Sequence, residues 1–178
     1  DVIRRNELTP VTAKRVAQHV ASAEEAGADF ILVTCSSIGP AVEAADKQVN
    51  VPVLRVDQPM ADAAVLTGSR IGVIATLSTT LDPTAALIRR RAVVADREVT
   101  ITERLCEGAF DALMSGDTEM HDIAVAAALR ELSETNDVIV LAQASMARVA
   151  DALPAKEKPV PVLSSPLLAV QHLAAVLS

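Results

Sequence analysis

Two stretches of this chain, set 108 to 109 positions apart, spell the same order of elements, and that duplication constrains the fold more than any other feature. In the first, Thr9-Pro10 opens a helical stretch, with Thr as cap and Pro at the first helical position, and Gly27 stops it. The apolar run Phe30-Ile31-Leu32-Val33 then reads as a buried strand, followed by polar Thr34-Cys35-Ser36-Ser37, a helix opened by Gly39-Pro40, and a second strand, Val51-Pro52-Val53-Leu54. In the second, an Ala-rich helix over 118–136 leads into Asp137-Val138-Ile139-Val140-Leu141. Ala142-Gln143-Ala144-Ser145, another helix and Val160-Pro161-Val162-Leu163 follow. Asp29 falls 108 positions before Asp137 and Val51 109 before Val160, so the copies match with about one insertion.

The second copy carries a further β-α-β unit ahead of its matching helix: a strand over 69–75, a helix over 81–95 and a strand over 98–105. Consecutive parallel strands need such crossovers, so an equivalent unit of about 40 residues is expected in front of Asp1. Phe30 and Phe110 are the only Phe, Tyr or Trp residues among 178 that are 51% hydrophobic. A core built from Ala, Val, Leu and Ile suits a buried parallel sheet under Ala-rich helices. The expected fold is therefore α/β, two pseudo-symmetric parallel-sheet halves. Residues 1–66 with 167–178 would form an incomplete first half, and 67–166 the second.

Composition also removes several classes of function. A formal charge of −7 and the scarcity of rings are the opposite of what phosphate backbones and stacked bases require, so nucleic acid is not an expected partner. No apolar run reaches the roughly 18 to 20 residues that span a bilayer, so no membrane role is expected. Cys35 and Cys106 are too far apart in sequence for a metal-ligand spacing or a disulfide framework, which suits a reducing cytoplasm. Six glycines leave no phosphate-cradling loop, and no nucleotide, metal or other cofactor is expected. His19, His121 and His172 lie in helical stretches and read as surface or satisfied residues. Arg89-Arg90-Arg91 reads as a solvated helix end, and Cys106 as a buried structural thiol.

The chemistry-bearing residues gather elsewhere. Ligands of open parallel sheets bind beyond the carboxyl ends of the strands, where helix N-termini offer free N–H groups. Three strand ends here are rich in small polar residues: Thr34-Cys35-Ser36-Ser37, Thr76-Leu77-Ser78-Thr79-Thr80 and Gln143-Ala144-Ser145. The repeat makes the first and third face each other across the gap between halves. N–H and O–H donors of this kind suit a small carboxylate without an arginine.

Ile31-Leu32-Val33-Thr34-Cys35-Ser36-Ser37-Ile38-Gly39-Pro40 resembles the aspartate/glutamate/hydantoin racemase superfamily, as do Arg70-Ile71-Gly72-Val73-Ile74-Ala75-Thr76 and Val140-Leu141-Ala142-Gln143-Ala144-Ser145-Met146. The resemblance implies two pseudo-symmetric α/β domains, often in a homodimer, each supplying a cysteine. One thiolate removes the proton on the carbon α to a carboxylate while the other thiol protonates the opposite face, without metal or pyridoxal phosphate. Cys35 would be one of the pair, since a helix N-terminus stabilises thiolates. Ser36, Ser37, Thr76, Thr79, Thr80, Ala144 and Ser145 would contact substrate. At the second cysteine position stands Gln143, whose amide is neither acid nor base near neutral pH. The resemblance thus implies a racemase-type isomerase of amino acids such as aspartate or glutamate, or of hydantoins. A single-cysteine decarboxylase, a cis-trans isomerase of a diacid and a non-catalytic carboxylate-binding protein are the alternatives.

Overall fold

A computed structural model describes residues 2–5 and 7–178. Asp1, the position in front of which a further unit is expected, lies outside them. The chain begins with the short helix α1 (Val2–Arg5) and α2 (Pro10–Glu25), whose N-cap Thr9 accepts a hydrogen bond from the Thr12 backbone N–H. Strand β1 (Ile31–Val33), helix α3 (Gly39–Asp46), strand β2 (Val53–Arg55) and helix α4 (Gln58–Thr67) follow. Next come β3 (Arg70–Ala75), α5 (Ser78–Val94), β4 (Thr100–Leu105), α6 (Ala109–Ser115) and α7 (Thr118–Ser133). The chain ends with β5 (Val138–Leu141), α8 (Ala147–Ala152), β6 (Val162–Ser164) and α9 (Ser165–Leu177).

All strand pairs are parallel. β1 pairs with β2, and a four-stranded sheet runs in the order β4-β3-β5-β6. The duplication is visible in the register itself: Ile31 lies opposite Val53, and Ile139, 108 residues on, opposite Val162. Ile31 N–H donates to the Pro52 carbonyl and Ile139 N–H to the Pro161 carbonyl, both at 2.9 Å. The strands predicted over 69–75 and 98–105 form as β3 and β4, slightly shorter. Helices α1, α4, α6 and α9 are additions to the expected order, and α1 and α6 are too short to show a clear period.

The core is aliphatic, as a chain with two rings requires. One cluster packs α4 and α5 on β3, with Met60, Ile71, Val73 and Ile88 excluded from solvent. The other packs α7 on the opposite face, through Leu129, Ile139, Leu141 and Met146. Both faces of the sheet are therefore covered at β3 and β5, which explains why these two strands read as nearly unbroken apolar runs, whereas the edge strand β4 is largely exposed and mostly polar.

Two polar knots hold the layers in place. At the start of the sheet, the Asp137 carboxylate accepts hydrogen bonds from the Ser69 and Arg70 backbone N–H groups and from the Arg70 guanidinium, at 2.6 to 3.1 Å. The Arg70 side-chain and backbone donors hold its pKa at about 2. In the first half, Arg55 at the end of β2 is buried and grips Asp57 with two bonds of 2.9 and 2.7 Å, while Nη1 donates to Glu43. Burial alone lowers the Arg55 pKa, but the bonds and charges of Asp57 and Glu43 outweigh it and hold the guanidinium above its usual range. Its plane occupies the space where a Cβ on Gly39 would lie, 2.2 Å from the guanidinium carbon.

Two expectations change here. The arginines at the end of α5 are not merely solvated, since Arg89 pairs with Glu103, Arg90 with Glu43 and Arg91 with Asp62, because α5 runs alongside acidic positions of its neighbours. His121 is fully buried rather than at the surface: Nδ1 lies 2.8 Å from an Asp122 carboxylate oxygen that also faces Arg148, and Nε2 has no partner. His19 and His172 are exposed, and Cys106 is a buried thiol raised in pKa by desolvation.

Gly39→Ala is expected to destabilise the fold by about 1–3 kcal/mol through overpacking against the pinned Arg55, although helix propensity alone favours alanine by up to about 1 kcal/mol. Denaturant melts decide the sign. Asp137→Asn should lower the melting temperature near neutral pH and flatten the acid limb. Because the folded pKa lies below the unfolded value of roughly 3.9, this carboxylate stabilises above pH 4, and the gain is lost as pH falls toward 2. An unchanged acid limb would remove Asp137 from the explanation.

Candidate active site

Parallel strands place their carboxyl ends, and the helix starts that follow them, on one side of the sheet, and this is where the polar segments meet. Cys35 immediately precedes a single 3-10 turn, Ser36–Ile38, that runs into α3. Gln143 immediately precedes the matching turn, Ala144–Met146, that runs into α8. The two residues share one backbone conformation, φ −130° and ψ 110° for Cys35 against φ −137° and ψ 137° for Gln143. Neither side chain caps its own turn, so both are left free for other contacts.

Both line a single cavity of about 460 Å³ that draws on both repeats. Of the residues expected there, Ser36, Ser37, Thr80 and Ala144 line it as well. Cys35 is exposed, and Ser37 is buried with its hydroxyl 3.1 Å from that of Thr80. That bond joins the thiol-bearing turn to the first turn of α5, fixing one half of the cleft against the other. The hydroxyl pair can still present lone pairs and a hydrogen to a ligand, since each hydroxyl both donates and accepts.

Gln143 is held from beneath. Its Oε1 accepts from the Thr76 backbone N–H at 2.7 Å, and its Nε2 donates to the Thr76 hydroxyl at 2.9 Å. The amide is therefore oriented by the end of β3, with its second Nε2 hydrogen unclaimed by Thr76. At the level of the backbone the symmetry mate of Cys35 is thus an ordered amide donor.

Three of the residues expected at the cleft lie off its lining. Thr76 supports Gln143 rather than lining the cavity, because its backbone and hydroxyl are both engaged by the amide. Thr79 points its hydroxyl into packed surroundings without a partner and borders a smaller cavity shared with Asp82. Ser145 is half-buried and is not among the residues that line the cleft, whose wall at this turn is Ala142, Gln143 and Ala144.

Other walls were not foreseen. Phe110 from α6, Ser165, Pro166 and Val170 from α9, Ile3 of α1 and Val56 beyond β2 line the cavity too. The readable signals were two: Phe110 is half of the chain's aromatic inventory, and Ser165-Pro166 repeats the helix opening of Gln58-Pro59. Among the described residues no Asp, Glu, Lys, Arg or His lines this cavity.

Comparison with known proteins follows the same lines. No curated protein matches the sequence. Among solved structures, a glutamate racemase from Bacillus anthracis superposes with a TM-score of 0.70 at 21% identity, over 94% of this chain and 66% of that one. An allantoin racemase from Klebsiella pneumoniae gives 0.65 at 22% identity, over 93% and 66%. An arylmalonate decarboxylase gives 0.61 at 15% identity, over 92% and 75%. This chain spans slightly less than two thirds of the two racemases, and likeness at such identities speaks for the fold. The Asp/Glu/hydantoin racemase family profile matches residues 1–173, nearly the whole sequence, and the chain belongs to that family.

Proposed function

We propose that the protein is a cofactor-independent racemase-type enzyme that moves a proton at the carbon α to a small carboxylate, with Cys35 as the thiolate. The observation that carries the reading is the placement of an exposed thiol and its symmetry-related amide on one cavity between the repeats. The substrate carboxylate would sit among the Ser36 and Ser37 N–H and hydroxyl groups and Thr80. The Cys35 thiolate would take the α-proton, leaving the bonding pair as an ene-diolate whose developing negative charge those donors stabilise. Return of the proton from the thiol restores the carbon acid, and loss of stereochemistry requires a second donor on the other face.

Gln143 favours a second reading. An amide anchored to Thr76 can donate a hydrogen bond to an ene-diolate but cannot deliver a proton near neutral pH. One-face chemistry then follows. In a decarboxylation the bond between the α-carbon and a carboxylate breaks, carbon dioxide leaves, and the electron pair remains as the ene-diolate. The Cys35 thiol protonates it from one side, and the resulting thiolate regains a proton from solvent. Cis-trans isomerisation of a diacid is the related possibility. A pocket that binds a carboxylate without turnover is the non-enzymatic limit of the same site.

Two measurements separate these readings. Wild-type protein in D2O is expected to incorporate deuterium at the α-carbon of its substrate, and Cys35→Ala to slow this by roughly 10²- to 10⁴-fold, the usual contribution of a general base. Equal uptake by both proteins would end the thiolate proposal. Gln143→Cys supplies the missing second acid, so the enantiomeric excess of product should fall toward zero in that variant. Retention of one enantiomer despite a folded, alkylatable second thiol would count against the facing geometry.

A further inference from the structure

We infer that Thr76 is a positioning residue that fixes Gln143 as a one-way hydrogen-bond donor. The cleft then takes an acceptor oxygen of the ligand, that of a carboxylate or its ene-diolate, where the repeat puts the mate of Cys35. The inference rests on the reading above for the chemistry at Cys35, and adds how the ligand is held at the second turn. Thr76 is buried and directly follows β3. The strand end before it is pinned on both flanks, because the Ala142 N–H donates to the Ile74 carbonyl at 2.9 Å and the Cys106 N–H to the Ala75 carbonyl at 2.8 Å. The sheet thus sets the direction of the Thr76 N–H.

That N–H decides which way round the amide stands. Oε1 of Gln143 accepts from it at 2.7 Å, and a reversed amide would set two donors against each other at that distance. The Thr76 hydroxyl completes the clamp. It lies 2.9 Å from Nε2 and 3.1 Å from Oε1, so it accepts from the nitrogen and can return its own hydrogen to the oxygen. Oε1 then holds two donors, and Nε2 has given one of its two hydrogens. This side chain, which lines the cavity, is left with a single N–H to offer. Such a donor pairs with an anionic oxygen roughly twice as strongly as with a neutral one.

Two alkylating probes of nearly one shape test this, iodoacetate with an anionic oxygen and iodoacetamide with a neutral one. In each the Cys35 thiolate displaces iodide, forming a carbon–sulfur bond, and peptide mass separates Cys35 from the buried Cys106. The readout is the iodoacetate rate over the iodoacetamide rate on the same variant, divided by that ratio for N-acetylcysteine, which cancels changes in the thiol's own reactivity. Wild-type protein is expected to favour iodoacetate by at least about tenfold, through the saturation constant rather than the limiting rate. Gln143→Glu, which can keep the Thr76 bonds but has no hydrogen to give, should drive the ratio below one, and Gln143→Met, uncharged and of similar length, should bring it to about one. Thr76→Val keeps the backbone N–H and should lose most of the preference, while Thr76→Ser should retain it. No preference in wild-type protein, a preference untouched by Gln143→Met or Thr76→Val, or failure of Thr76→Ser to retain it overturns the inference. Deuterium exchange separates this from the proton-transfer reading. Cys35-dependent exchange into aspartate, glutamate or hydantoin that Gln143→Glu leaves unaltered would sink the role of the amide and leave the thiolate chemistry standing. The iodoacetate preference with its variant pattern, but without exchange, would do the reverse.

Discussion

Parallel pairing in one repeated register is the constraint on which the rest of this molecule depends. Because Ile31 faces Val53 and Ile139 faces Val162 in the same way, the chain leaves β1 and β5 at equivalent heights and in equivalent directions. Each exit is a residue in extended conformation followed by a tight turn and a helix. Cys35 and Gln143 are therefore brought to one cleft by backbone geometry, before any side-chain interaction between them is considered. A slip of register in either pair would move its polar exit away from the other, and the cleft would lose its two-sided character.

Side chains then stiffen what the backbone places. Asp57 and Glu43 hold Arg55 under Gly39, so the first turn of α3 rests on a buried guanidinium as well as on the aliphatic packing of Ala41 and Val42. Removing one member of such a buried pair costs roughly 3–5 kcal/mol, since the partner charge is left unpaired out of water. Arg90 of α5 shares Glu43, and Ser37 shares its hydroxyl bond with Thr80, so two polar links cross from the first repeat to the second. The thiol-bearing turn is thereby tied to the neighbouring repeat at two points. The proposed proton transfer would draw on this stiffness, because small displacements of a reacting group are expensive in rate.

The departure at Gln143 is best understood through the same economy of contacts. An amide at this position satisfies the Thr76 N–H that terminates β3 and engages its hydroxyl, so a fixed dipole stands where the family resemblance implies a thiol. With a thiol at one turn and an amide at the other, the cleft is asymmetric in chemistry while remaining symmetric in backbone. A shared family fold leaves such differences open, because the scaffold dictates where groups stand and the local residues dictate what those groups can do.

Much of this was legible in the residue string. Apolar runs bounded by turn residues, the Thr9-Pro10 opening and the 108-residue offset determined the order of elements, the parallel sheets and the equivalence of Cys35 with Gln143, because these depend on local periodicity and on the connectivity of parallel strands. Tertiary structure alone decided that Thr76 turns to Gln143 instead of the cleft, that Thr79 and Ser145 face elsewhere, and that the α5 arginines are paired. It likewise brought Phe110 and Val170, 60 positions apart in the sequence, to one cavity. The reason is physical: a side chain's direction at a strand end is set by the turn that follows and by what packs above it, and charges choose partners by distance in space, which spacing along the chain does not record.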